Sequence, residues 1–294
     1  MPSLFQGSAV ALVTPFRNGA VDVEALRRLT ERQVQGGTSA IVACGTTGEP
    51  STMTPDEREL VVREVVKTVN GRIPVIAGTG ANCTQTVIDT ANRYADVGVA
   101  AQLVVTPYYN KTTQEGMYRH YMTIAERTAL PIIIYNVPSR TTLDVDAEVL
   151  DRLAASERFI GLKESSFNIP FVMEKLRRVG GRLAVYSGND ELVIPLMALG
   201  AEGVVSVVSN LLPERMAQMT KSFREGDTAT ALGIQLTLLP LIRALFAETS
   251  PIPCKRALEL MGLCSGELRL PLIPLGAEHE KQLRDALIAV GVTL

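Results

Sequence analysis

Eight short apolar runs recur along the chain, each bounded by Gly, Pro, Ser, Thr or Asn. They begin with S-A-V-A-L-V-T-P from Ser8, S-A-I-V-A-C-G-T-T-G from Ser39, P-V-I-A-G-T-G from Pro74 and A-Q-L-V-V-T-P-Y-Y from Ala101. P-I-I-I-Y-N-V-P from Pro131, F-I-G-L-K-E-S from Phe159, L-A-V-Y-S-G-N-D from Leu183 and G-V-V-S-V-V-S-N from Gly203 complete the set. Hydrophobicity is continuous within each run rather than alternating. That predicts strands buried on both faces, hence a parallel sheet covered by helices. The segments between the runs have helical periodicity. Residues 22–35 place Val23, Leu26, Leu29 and Val34 on one side. Thr54-Pro55-Asp56-Glu57 offers an N-cap, a proline at the first helical position and acidic first-turn residues. Eight such repeats predict an α/β chain folded as a (β/α)8 TIM barrel over residues 1–225, ahead of an open doubly wound sheet.

After residue 211 the strand pattern stops, and 212–294 read as helical throughout, with proline breaks near Pro240, Pro251–Pro253 and Pro271–Pro274. The eighth barrel helix is expected at 212–225. Residues 226–294 then form a C-terminal α-helical extension, placed to pack on the barrel or on another subunit.

Composition narrows the function. With 46% hydrophobic and 20% charged residues, the 294-residue chain can bury a large core and fold as a soluble globule. Its 29 basic and 31 acidic residues form no long run of one sign, which argues against a nucleic-acid surface or a polybasic membrane patch. The start M-P-S-L-F-Q-G-S lacks the basic region and cleavage site of a signal peptide. The apolar segment Leu236–Ala247 contains Pro240 and Arg243 and is too short to cross a bilayer. A cytoplasmic location is expected. Cys44, Cys83, Cys254 and Cys264 are scattered without a CxxC pair and read as reduced thiols. The two histidines, His120 and His279, are too few and too far apart for a histidine metal site or a Ser-His-Asp triad. No G-x-G-x-x-G or Walker pattern follows a strand; Gly78-Thr79-Gly80 is only a fragment of one. Neither a metal nor a cofactor is expected.

In such a barrel the reactive groups sit at the C-terminal ends of the strands. Those ends hold Thr46, Thr47, Gly48 and Glu49; Thr106, Tyr108, Tyr109 and Asn110; and Tyr135, Asn136, Ser139 and Arg140. Lys163 and Glu164 follow, then Ser187, Gly188, Asn189 and Asp190. The set has a lysine, phenols, hydroxyls and an arginine but no histidine, which favours amine chemistry. An ammonium group in a low-dielectric barrel mouth is poorly hydrated, which frees neutral amine to attack a carbonyl and form a Schiff base. Tyr135, at the end of the neighbouring strand, can carry protons. The Thr46-Thr47 turn offers hydroxyls and N–H groups to a carboxylate, and Arg140 offers its planar fork. Plainer readings stand beside these: a solvated loop lysine, a tyrosine capping the barrel, glycines that only permit a tight turn, and a surface arginine. Lys67, Lys111, Lys175, Lys221, Lys255 and Lys281 fall mostly in helical or loop patterns, which singles out Lys163.

With these residues placed, G-T-T-G-E (45–49), T-P-Y-Y-N-K (106–111), Y-N-V-P-S-R-T (135–141), G-L-K-E-S (161–165) and S-G-N-D (187–190) together resemble the dihydrodipicolinate synthase family. G-T-T-G-E, Tyr135 and Lys163 alone fit the wider pyruvate-dependent aldolase superfamily; Y-N-V-P-S-R-T and the paired tyrosines narrow it. The resemblance implies a lyase that condenses pyruvate with L-aspartate 4-semialdehyde, the first committed step of diaminopimelate and lysine biosynthesis. It implies that Lys163 forms the Schiff base, that Tyr135 shuttles protons, and that Thr46 and Tyr109 complete the relay, Tyr109 crossing a subunit interface. It further implies that Thr47, Gly188 and the backbone of Val205 contact pyruvate-derived groups and that Arg140 holds the second substrate's carboxylate. No cofactor is implied, and the usual family state is a homotetramer built as a dimer of dimers.

One departure stands out. Of the residues that bind inhibitory lysine in some members, Asn82 and Tyr108 are matched, whereas Pro55, Arg58 and Thr86 stand where strongly inhibited bacterial enzymes carry two histidines and a glutamate. Weak or absent lysine inhibition is expected. The competing functions are a Schiff-base lyase of a sialic or 2-keto-3-deoxy sugar acid, a barrel kept as a pyruvate-binding regulator, and a structural scaffold. Arg140 argues against the first, the retained lysine and phenol against the second, and the clustering of polar groups on strand ends against the third.

Overall fold

The computed structural model describes residues 3–294. The eight runs form strands β1 (Gly7–Ala11), β2 (Ala40–Ala43), β3 (Val75–Gly78), β4 (Ala101–Val105), β5 (Ile132–Asn136), β6 (Phe159–Glu164), β7 (Ala184–Ser187) and β8 (Gly203–Ser206). Each pairs in parallel with its neighbours in chain order, and β8 closes onto β1. The chain is a (β/α)8 barrel. At the closure Gly203 has φ 156°, and a Cβ there would lie 1.8 Å from the Gly7 carbonyl oxygen, so only glycine fits. A short antiparallel hairpin, Phe16–Arg17 with Ala20–Val21, follows β1 and carries no signal the strand pattern could reveal.

The barrel helices are α1 (Val23–Gln35), α2 (Pro55–Val69), α3 (Thr84–Arg93), α4 (Gln114–Arg127), α5 (Ala147–Leu153), α6 (Ile169–Val179), α7 (Val193–Ala198) and α8 (Pro213–Arg224). In α1, Leu26 and Leu29 are buried with Ala25, Thr30 and Gln33, while Val23 and Val34 are only partly covered. In α2, Thr54 and Glu57 form a reciprocal capping box. Strand alternation sorts the core. Ala9, Val42, Ile133, Tyr135 and Val205 fill the barrel interior, while Ile132, Ile134 and Leu162 face the helical shell.

The extension comprises α9 (Thr228–Leu245), α10 (Ile252–Leu260) and α11 (Ala277–Ala289). Two expectations are corrected here. Pro240 does not break a helix but lies inside α9. An interior proline costs about 3 kcal/mol, and burial of Ile234, Leu238, Leu241, Ile242 and Leu245 on the same helix outweighs it. Nor is the extension helical throughout, because residues 261–276 run as turns and coil around Gly262, Gly266 and the 271–274 prolines. By length and composition α9 could cross a membrane. It packs instead against α8, α10 and α11.

Candidate active site

The strand register brings Lys163 and Tyr135 together. β5 and β6 pair with Tyr135 opposite Lys163, so both side chains point into the barrel at its C-terminal end. The Lys163 ammonium lies 4.2 Å from the centroid of the Tyr135 ring. Lys163 is only 5% exposed and has no ion-pair partner among the described residues. Burial pushes the Tyr135 phenol up. The positive charges of Lys163 and Arg140 and the neighbouring Thr46 and Ser165 hydroxyls overcome that and leave it below the ordinary tyrosine range. A phenol lowered this way gives up its proton more readily than a free one, which suits it to proton transfer.

These groups open onto a cavity of about 780 Å³, whose wall includes Thr46, Thr47, Tyr135, Arg140, Lys163 and Gly188. Thr46–Gly48 is a single tight helical turn ended by Glu49 in the left-handed conformation. It is held from below by Thr14 Oγ1, which donates to the Gly48 carbonyl at 2.8 Å. From the side, Glu49 accepts from Lys255 Nζ at 2.6 Å, with both side chains buried. Gly188 is glycine because a Cβ there would sit 1.9 Å from Ser165 Oγ and 3.0 Å from Lys163 Cε. Arg140 lies on the one-turn helix Pro138–Thr141, and its Nη2 donates to the Ser250 carbonyl at 3.0 Å.

Two residues named from the sequence stand apart. Tyr109 is 91% exposed with φ 68° and does not line the cavity. Val205 is buried in the barrel interior beside Tyr135, and the nearby cavity wall is Val207. Val207 and Val208 are fixed by Asp190, whose Oδ2 accepts both backbone N–H groups at 2.9 and 3.2 Å. Burial pushes the Asp190 carboxyl up, against those hydrogen bonds and the Lys163 charge. The strand-end reading missed the contribution of the extension: Ile242, Arg243, Phe246, Thr249 and Ser250 close one side of the cavity. The available signal was Arg243, a lone cation in the apolar 236–247 segment, here paired with the cavity-lining Glu191 at 3.2 Å.

Neither histidine reaches the cavity wall. His120 is buried against Thr84, which pushes its imidazole down to about 4, and His279 pairs with Glu248 at 2.7 Å. A second hollow of about 240 Å³ backs onto the first, sharing Thr46, Tyr135 and Arg140. Its outer wall carries Ser51, Arg58 and Tyr108 and no acid.

The geometry is a buried amine beside a phenol, with an arginine at the rim, and the sequence comparisons supply the family. The dihydrodipicolinate synthetase family model matches residues 4–290. The chain belongs to that family. It is 47% identical over 280 residues to the 4-hydroxy-tetrahydrodipicolinate synthase of Geobacter metallireducens, covering 95% of this chain and 97% of that one. The crystal structure of the chloride-inhibited Acinetobacter baumannii dihydrodipicolinate synthase complexed with pyruvate superposes with a TM-score of 0.95 at 43% identity, covering 98% of this chain and 99% of that one. The Cyanidioschyzon merolae enzyme, crystallised with lysine bound, superposes with a TM-score of 0.96 at 38% identity, covering 99% of this chain and 100% of that one.

Proposed function

We propose that this chain condenses pyruvate with L-aspartate 4-semialdehyde to give 4-hydroxy-tetrahydrodipicolinate, the first committed step of diaminopimelate and lysine biosynthesis. The observation that carries the reading is Lys163, a buried amine without a carboxylate partner among the described residues, set against Tyr135 in a family whose members bear this synthase's name. The Lys163 amine adds to the ketone carbon of pyruvate. Proton transfer through Tyr135 lets water leave, and loss of a methyl proton gives the enamine. The enamine carbon attacks the aldehyde to form the carbon–carbon bond. The substrate's amino group then displaces Lys163 as the ring closes, which returns the free lysine.

In this scheme Thr47, Gly188 and the Val205 carbonyl seat pyruvate, Arg140 takes the carboxylate of the semialdehyde, and no cofactor is called for. Thr46 joins the relay together with Tyr109 from a second copy of the chain. A homotetramer, assembled as a dimer of dimers, fits the exposed Tyr109 and the uncovered Leu232 and Leu236 on α9. A cytoplasmic location fits the four free cysteines. The other reading, a lyase of sialic or 2-keto-3-deoxy sugar acids, is disfavoured by Arg140, since a polyol is better met by neutral hydrogen-bonding groups.

Borohydride reduction in the presence of pyruvate, followed by peptide mass mapping, tests the proposal. The expected adduct is on Lys163; an adduct on another lysine, or none, removes the mechanism. A coupled assay offering aspartate semialdehyde or sugar acids then decides the second substrate.

A further inference from the structure

Behind Lys163 and Tyr135, on the outer face of the same two strands, lies a buried ion network that no substrate reaches. The β5–β6 register that sets Tyr135 opposite Lys163 also sets Asn136 opposite Glu164. Since strand side chains alternate, this second pair faces the helices. Asn136 Nδ2 donates to Glu164 Oε1 at 2.8 Å, and the same oxygen accepts the Ser166 backbone N–H at 2.7 Å. Lys175, from α6, donates to Glu164 Oε2 at 2.8 Å and to Asp144 Oδ1 at 2.5 Å. Asn136 Nδ2 also reaches Asp144 Oδ1 at 2.7 Å, and Asn136 Oδ1 accepts the Val145 N–H at 3.1 Å. Asn136, Glu164 and Lys175 have no exposed surface.

Stability alone does not explain such a cluster. Desolvating these charges offsets most of their attraction, and a well-packed apolar set is often as stable. What ions and amides supply and apolar residues lack is direction. The network ties three pieces: the end of β5 after Tyr135, the end of β6 after Lys163, and the Asp144–Val145 end of the segment that carries Arg140. We propose that Glu164 and Lys175 are positioning residues: by locking Asn136 and Asp144 they set the amine, the phenol and the guanidinium at the spacing that Schiff-base formation and carbon–carbon bond formation need. This rests on the Schiff-base reading of the cavity.

Lys175→Met alone strands two acids in the interior and is expected to fold poorly. The test therefore uses the double variant Glu164→Gln/Lys175→Met, which keeps an acceptor for Asn136 and Ser166, and Asp144→Asn at the network's partly exposed end. Val179→Ala, a cavity one turn beyond Lys175 at the C-terminal end of α6 that removes no member of the network, is the control for lost stability. Single-turnover trapping of pyruvate is measured on each, with steady-state kcat and KM. The double variant is expected to trap roughly tenfold to a hundredfold more slowly, the scale of a small misplacement of reacting groups. Its kcat should fall while its KM for pyruvate holds, because the Thr46–Thr47 turn is untouched. Asp144→Asn should show the same pattern at a few fold, and Val179→Ala none of it. Variants that trap as fast as Val179→Ala overturn the positioning role and leave the proposed reaction standing. A parent enzyme that traps no pyruvate on Lys163 overturns both.

Discussion

Among the described residues three lysines are buried, and they divide by whether a carboxylate pairs with them. Lys175 and Lys255 sit on helices and are paired: Lys175 has Glu164 and Asp144, and Lys255 has Glu49 and stands 4.1 Å from the centroid of the Phe16 ring. Lys163 lies inside, with an aromatic face and no ion-pair partner among the described residues. A buried lysine bonded to carboxylates is tied in place by its hydrogen bonds, whereas one without them keeps its amine free to reach a carbonyl carbon. Burial is common to all three. The missing partner singles out Lys163 as the proposed nucleophile.

The strongest way to break that contrast is to remove the unpaired amine. Lys163→Met should drop turnover to background and abolish the pyruvate adduct while leaving the melting temperature within a few degrees; residual trapping would move the chemistry to another lysine. Removing a paired amine should do the opposite. Lys255→Met leaves Glu49 buried and uncompensated, which costs about 3–5 kcal/mol, and Lys255→Met/Glu49→Gln should recover most of it in denaturant titrations. A double variant as unstable as the single one would show that the pair does more than cancel charge. Arg140→Ala sharpens the division of labour at the mouth: aspartate semialdehyde turnover should fall sharply while borohydride still traps pyruvate at near the parent rate. Failure to trap would give Arg140 an earlier role. The smallest effect concerns free lysine, whose ammonium finds no acid in the hollow lined by Arg58 and Tyr108. Submillimolar lysine should leave the rate nearly unchanged, and steep inhibition would reveal an acid supplied from elsewhere.

The barrel was legible because its strands are buried on both faces, and that leaves continuous apolar runs no helix interrupts. Lys163 and Tyr135 were legible because each closes such a run with a polar group, a local contradiction that flags a candidate functional position. What stayed hidden depends on contacts distant in sequence. Lys175 and Lys255 sit in helical patterns where a lysine reads as solvated, and only tertiary packing buries them. Ser250 meets Arg140 across 110 residues, and its carbonyl has no sequence signature. Pro240 breaks a helix by local propensity, and only the apolar face that α9 buries by tertiary packing overrides it.

Gly188 carries a consequence for how this site can change over generations. Any replacement there adds a Cβ that meets Ser165 Oγ at 1.9 Å, so the serine hydroxyl has to turn aside or be lost before the position can change. Ser165→Ala would clear that atom and leave Lys163 Cε at 3.0 Å and the Glu164 carbonyl at 3.2 Å, contacts a small shift could relieve. A lineage that first lost the serine hydroxyl could then explore side chains beside Lys163, whereas one that tried the glycine first would have to displace that hydroxyl at the same step. The order of the two substitutions, more than their number, governs which substrates the barrel can come to accept.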